Sequence, residues 1–224
     1  MSTSVVQICN TALARIGVSN FISSIDESST EAAVCKVLYE SVRDRVLREH
    51  PWGFASVYTP LALVAEADET ASWAEQWDYA YRYPSDALVV RKILSVLGKL
   101  EPVAIPYSVG RDAVGRLIFT DEKDAKIEYT SRVEDASQFD PSFASVVAWL
   151  LASEIAMPLS ALDGIRKQAL QMFAMELDVA KRIAANEGEP LRDVDTEFVR
   201  SRGYAATGAV GDGLTIFPSG FTIS

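Results

Sequence analysis

The sequence predicts a mainly α protein, a bundle of about four helices with a small antiparallel β-rich insertion and an extended C-terminal arm. Three observations carry that expectation. Apolar residues recur at three-and-four spacing in two stretches near the N-terminus and two in the C-terminal half. Between these pairs lie short, β-branched and aromatic runs punctuated by Gly, Pro and Asp. After Pro190 all periodicity stops, in a glycine-rich yet apolar tail. The expected organisation is a body over residues 1–187, with the β-rich insertion at about 84–135, and an arm over 188–224.

The first helix follows from Val5, Ile8, Cys9, Ala12, Leu13 and Ile16, which fall on one helical face that Gly17 ends. A loop covers Val18 to Asp26. Ser28 followed by Glu31 then has the form of a capping box, and Val34, Cys35, Leu38, Val42 and Val46 mark a second helix running to Pro51. Pro51-Trp52-Gly53-Phe54-Ala55 places a helix stop beside two large rings, which predicts a packed corner. Residues 61–74 show no firm period and are expected to be loop. Trp77, Tyr79, Tyr81 and Tyr83 alternate, as on one face of a strand.

Pro84 breaks that run. Leu88–Leu94, Val103–Val109, Arg116–Thr120 and Lys126–Val133 are the later strand candidates. Asp140 and Pro141 form a helix start with cap and first-turn proline in order, leading into a nearly all-apolar helix that Pro158 is expected to close. A last amphipathic helix spans about Ser160 to Ala185. In the arm, Leu214, Ile216, Phe217, Pro218 and Phe221 have no visible place in their own core, so they are the candidate partner-binding residues.

The 31 acidic and 21 basic residues leave a charge of −10, which opposes tight nucleic-acid binding by counterion release. Cys9 and Cys35 read as buried free thiols. The N-terminus has no basic-then-apolar signal, and no window is expected to span a membrane. The single histidine, His50, sits at a helix end, where it serves the helix dipole or fills a corner. Metal-ligand spacings are absent from the sequence, so neither metal nor cofactor is expected. Gly110 to Gly115 has phosphate-loop spacing, but Arg116 and Leu117 stand where Lys and Ser or Thr are needed. No catalytic constellation emerges, and the expectation is a non-enzymatic protein; an enzyme with an unfamiliar carboxylate pair is the rival.

Residues Asn10-Thr11-Ala12-Leu13-Ala14-Arg15-Ile16-Gly17, then Ile22, Ser24, Asp26-Glu27-Ser28 and Ala32-Ala33, resemble the start of the tail tubular protein A family, the head-to-tail adaptors of short-tailed phages. Tyr39, Arg43-Asp44, Val46-Leu47 and Pro51-Trp52-Gly53-Phe54-Ala55 resemble that family's second helix and aromatic corner. Trp77, Tyr79, Tyr81, Pro84, Asp86 and Leu88 resemble its aromatic segment, and the likeness fades beyond them. The resemblance implies a virion protein forming a dodecameric ring between portal protein and tail nozzle protein, part of the channel through which genomic DNA passes without specific binding. It also implies assembly in the host cytoplasm and no membrane. A different head- or tail-completion protein is the alternative within the same class.

Overall fold

A computed structural model describes residues 3–69, 71–94, 105–160 and 163–188, all within one compact unit, Met1–Gly188. The chain runs α1 (Val5–Arg15), α2 (Thr30–Glu49), β1 (Ser56–Pro60), β2 (Leu63–Glu66), β3 (Tyr79–Arg82), β4 (Ala87–Leu94), β5 (Ser108–Arg111), β6 (Arg116–Thr120), β7 (Lys126–Ser131), α3 (Pro141–Ser160) and α4 (Asp163–Gly188). The arm, with Leu214, Ile216, Phe217, Pro218 and Phe221, lies outside the described residues.

The expectation of a mainly α protein is overturned. Among the described residues helix accounts for 48% and strand for 21%, with seven strands in two antiparallel sheets beside four helices. One sheet has the order β1-β7-β4 and the other β2-β3-β6-β5. The β-rich part also begins near Ser56, well before residue 84, and β2 lies inside the stretch read as loop. The reason is strand length. β2 and β5 have four residues each, too few for an alternating pattern to rise above noise, and burial along β7 is nearly continuous.

The helices close more nearly as their local chemistry dictates. Ser4 Oγ accepts from Gln7 N to cap α1. At its other end Gly17 adopts φ +80, while Gly17 N and Val18 N donate to the carbonyls of Ala14 and Leu13. That is a Schellman stop, a conformation open to glycine at no steric cost. For α2 the cap is Ser29, whose Oγ accepts from Ala32 N; Ser28 is one residue too early. Glu27 displaces the expected capping box: its carboxylate accepts from Ser23 N, Ser23 Oγ and Ser29 Oγ, so the preceding loop wraps around that acid. Asp140 caps α3 as expected, accepting from Ser142 N. Pro158 does not end α3, which continues to Ser160. A proline in the final turn removes only one helical bond, so the helix survives it.

Two apolar cores result. The larger joins the helices through Ile8, Leu13, Val46, Leu47, Phe143, Leu150, Leu151 and Ile155, and it takes in Trp52 at the corner. The second lies within the sheets around Tyr81, Tyr83, Ile118, Ile127 and Tyr129. α3 is long and apolar enough to cross a bilayer by length and composition, contrary to the sequence expectation, and here it packs against α1, α2 and α4.

Candidate partner-binding surfaces

Several N-terminal residues named in the resemblance make side-chain bonds and ring contacts with distant parts of the chain. Asn10 Nδ2 donates to Ile22 O at 2.9 Å and Ile22 N donates to Asn10 Oδ1 at 2.8 Å, so one amide pins the returning loop on α1. Arg15 reaches α3, donating to Ser145 O and Ser145 Oγ with its guanidinium 4.0 Å above the Trp149 ring. At the corner Trp52 is buried and donates from Nε1 to Val46 O at 3.0 Å. Its ring meets Phe143 edge-on at 5.1 Å, and Phe54 and Phe139 complete the cluster.

His50 ends α2 with its ring 5.2 Å from Trp52. Burial, and then Lys181 and Arg91, push its proton affinity down, so it fills the corner as a neutral ring and supplies no charge to the helix dipole. That task falls to Arg91 on β4. Its Nη2 donates to the carbonyls of Leu47, Arg48 and His50, and its Nε donates to Thr130 Oγ1 on β7. A cation from the first sheet thus satisfies the carbonyls that end α2. On the second sheet, Arg82 grips Asp112 with two bonds, while Val114 N and Gly115 N donate to the same acid. These bonds fold the β5–β6 hairpin and hold the Asp112 carboxyl well below its usual range, Arg82 being the largest cause. Gly110 and Gly115, the two glycines of phosphate-loop spacing, belong to this hairpin. A Cβ on Gly110 would come within 2.6 Å of the Phe119 ring, so close packing explains that glycine.

Between the two sheets lies an open cleft of about 580 Å³, walled by Leu61, Arg82, Tyr83, Pro84, Arg116 and Tyr129. Two of its polar groups have partners within the protein: Arg116 stacks 3.7 Å over Tyr83, and Tyr129 Oη donates to Asp86. Burial, then the Asp86 bond, raises Tyr129 to about 12, so it remains a neutral donor. Among the described residues no three His, Cys, Asp or Glu side chains gather as metal ligands. The shifted acids, Glu27, Asp112, Asp135 and Asp163, owe their shifts to turns, caps and ion pairs.

What the described surface does offer is apolar area. Leu63 and Val64 on β2 are 50% and 43% exposed, and Val109 and Val114 stand out from the β5–β6 hairpin. On α4, Met175, Val179 and Ile183 recur at four-residue spacing and remain exposed beside the buried Leu177 and Ala180. The sequence pattern for α4 gave no means of separating this outer flank from the inner one, since both are apolar. No family model matches this chain, and no curated protein matches it.

Proposed function

We propose that this chain is a structural, non-enzymatic protein of a short-tailed phage virion, a head-to-tail adaptor that forms a ring beneath the portal protein and seats the tail nozzle protein. The observation that carries this reading is the ordered set of residues from Asn10 to Leu88 that resembles the tail tubular protein A family. The geometry ties the part of that set within residues 10–54 to the helical core. Asn10 with Ile22, Arg15 with α3, and Trp52 with Phe143 tie the resembling residues into the helical core. The exposed flanks of α4 and the second sheet suit a protein whose neighbours cover its apolar area. In the ring, the charge of −10 disfavours affinity for DNA, and the genome passes without being gripped.

The test is the mass of the purified protein alone and mixed with the phage's portal ring, by light scattering and negative-stain imaging. Assembly of a dodecameric ring on the portal supports the adaptor. A monomer or dimer that ignores both portal and nozzle proteins removes it. Binding to a different head or tail component would make the chain another completion protein.

A further inference from the structure

The second sheet carries opposite charge at the two ends of its strands. At one end Glu66 pairs with Tyr79 and Tyr79 with Thr120, and the chain joining β2 to β3 emerges there. Residues 66–78 hold five acids, all exposed, and no lysine or arginine. Asp78 N donates to Asp121 Oδ1 at 3.0 Å, which brings the β6–β7 turn alongside with three more acids against Lys123. The other end is basic. Arg82 pairs there with Leu117, and Arg111 stands directly opposite Arg116. Like charges facing each other across a ladder are destabilising until an anion joins them. The neighbouring acid, Asp112, is committed to Arg82 and to the amides of Val114 and Gly115. Among the described residues, neither the Arg111 nor the Arg116 side chain has a hydrogen bond or an ion pair. Arg116 is nonetheless held in place, 3.7 Å over the Tyr83 ring, in the wall of the open cleft of about 580 Å³. Val114, 83% exposed, also lines that cleft.

We propose that the acidic lobe of one copy, residues 66–78, seats in the cleft beside Arg111 and Arg116 of the next, so that copies join head to tail through their second sheets. This deepens the reading of the chain as a ring-forming virion protein and rests on it. A second copy is the occupant because the surface that complements the arginines is carried by the chain itself, at the opposite end of the same sheet. A lobe cannot fill its own cleft, since the strands hold the two ends apart. Lobe against lobe, or cleft against cleft, brings like charges together and is disfavoured. Carboxylates entering the cleft give Arg111 and Arg116 the planar, bidentate partners they lack. A contact made by different patches on the two partners is heterologous, the kind that propagates from copy to copy and closes into a ring.

The test uses two full-length preparations, one tagged and carrying Glu75→Cys in the lobe, the other untagged and carrying Ser85→Cys in the cleft wall. They are mixed under mild oxidation at low salt, free and with the portal ring present. The reference pairing is Ser85→Cys with Ala33→Cys, an exposed position on α2. Seating predicts a yield of disulfide between unlike chains at least roughly ten-fold above that reference, because a docked lobe raises the local thiol concentration. It also predicts that one chain carrying both cysteines gives a ladder of oligomers beyond the dimer. Arg111→Glu with Arg116→Glu should return the yield to the reference level. Mixing that cleft with a lobe carrying Glu66→Lys and Glu69→Lys should restore it, which a misfolded cleft could not do. Reference-level yields free and on the portal, a ladder that stops at dimers, or a yield that the arginine reversals leave unchanged overturns the contact. If the specific disulfide forms but the protein binds neither portal nor nozzle, the contact stands and the adaptor reading falls. If rings form on the portal with reference-level yields, the contact falls and the adaptor reading stands.

Discussion

At the scale of single residues, small polar groups at long range hold the N-terminal region together. Asn10 makes two bonds to the backbone of Ile22, twelve positions away, and no hydrophobic residue can replace both donor and acceptor. Asn10→Ala is therefore expected to destabilise the protein by about 1–3 kcal/mol, because the Ile22 amide and carbonyl lose their partner. Urea unfolding monitored by tryptophan fluorescence checks this, and an unchanged midpoint would remove the clamp from the account. Tyr39 is the opposite case. Its hydroxyl is buried with no partner among the described residues, and burial raises its pKa to about 12. Replacing an unsatisfied hydroxyl by hydrogen relieves a desolvation cost, so Tyr39→Phe is expected to leave stability equal or raise it by about 1 kcal/mol. A clear loss of stability in the same urea assay would show that the hydroxyl has a partner.

Between elements, the joint of α2 with the first sheet depends on Arg91. Three carbonyls at the helix end and a threonine hydroxyl on β7 converge on one guanidinium. Arg91→Met keeps much of the apolar stem but leaves those carbonyls without a protein donor, and a loss of about 2–3 kcal/mol is expected. Arg91→Lys should restore only a minor part, since an ammonium lacks the planar fork that reaches several acceptors at once. Hydrogen exchange provides the structural readout. Amides in the last turn of α2 and along β4 should lose protection together in Arg91→Met, whereas loss confined to β4 would show that the cap is not what joins them.

Across the whole molecule, acid should act through a few exposed carboxylates placed in turns. Glu27 is lowered from its ordinary 4.5 to about 2 by Ser29 and Ser23, and Asp112 is also lowered, chiefly by Arg82. A depressed carboxyl contributes stability that is present above its unfolded pKa and lost as pH falls through its folded one. The denaturation midpoint is therefore expected to hold near neutrality and decline from about pH 4.5 downward. Glu27→Gln and Asp112→Asn should each make that decline shallower, as circular dichroism during acid titration would show. Tyr129, raised to about 12, works at the other extreme: its contribution is complete below 10 and lost as pH climbs through 12.

Local signals in the sequence placed the helix ends to within about three residues, because capping and helical period are written in near neighbours. Ser4, Gly17 and Asp140 act where they stand. Tertiary structure alone decided the balance of the fold. The alternation of Tyr79 and Tyr81 marked β3, but its partner β6 was not legible, as when Arg82 pairs with Leu117, and β2 became a strand only by pairing with β3. Ser29 prevailed over Ser28 because Glu27 organised the loop, and Arg91 became a helix cap only once β4 lay beside α2. A residue's period and capping chemistry are properties of its neighbours along the chain, whereas strand pairing, free edges and long-range caps exist only after the chain has folded back on itself.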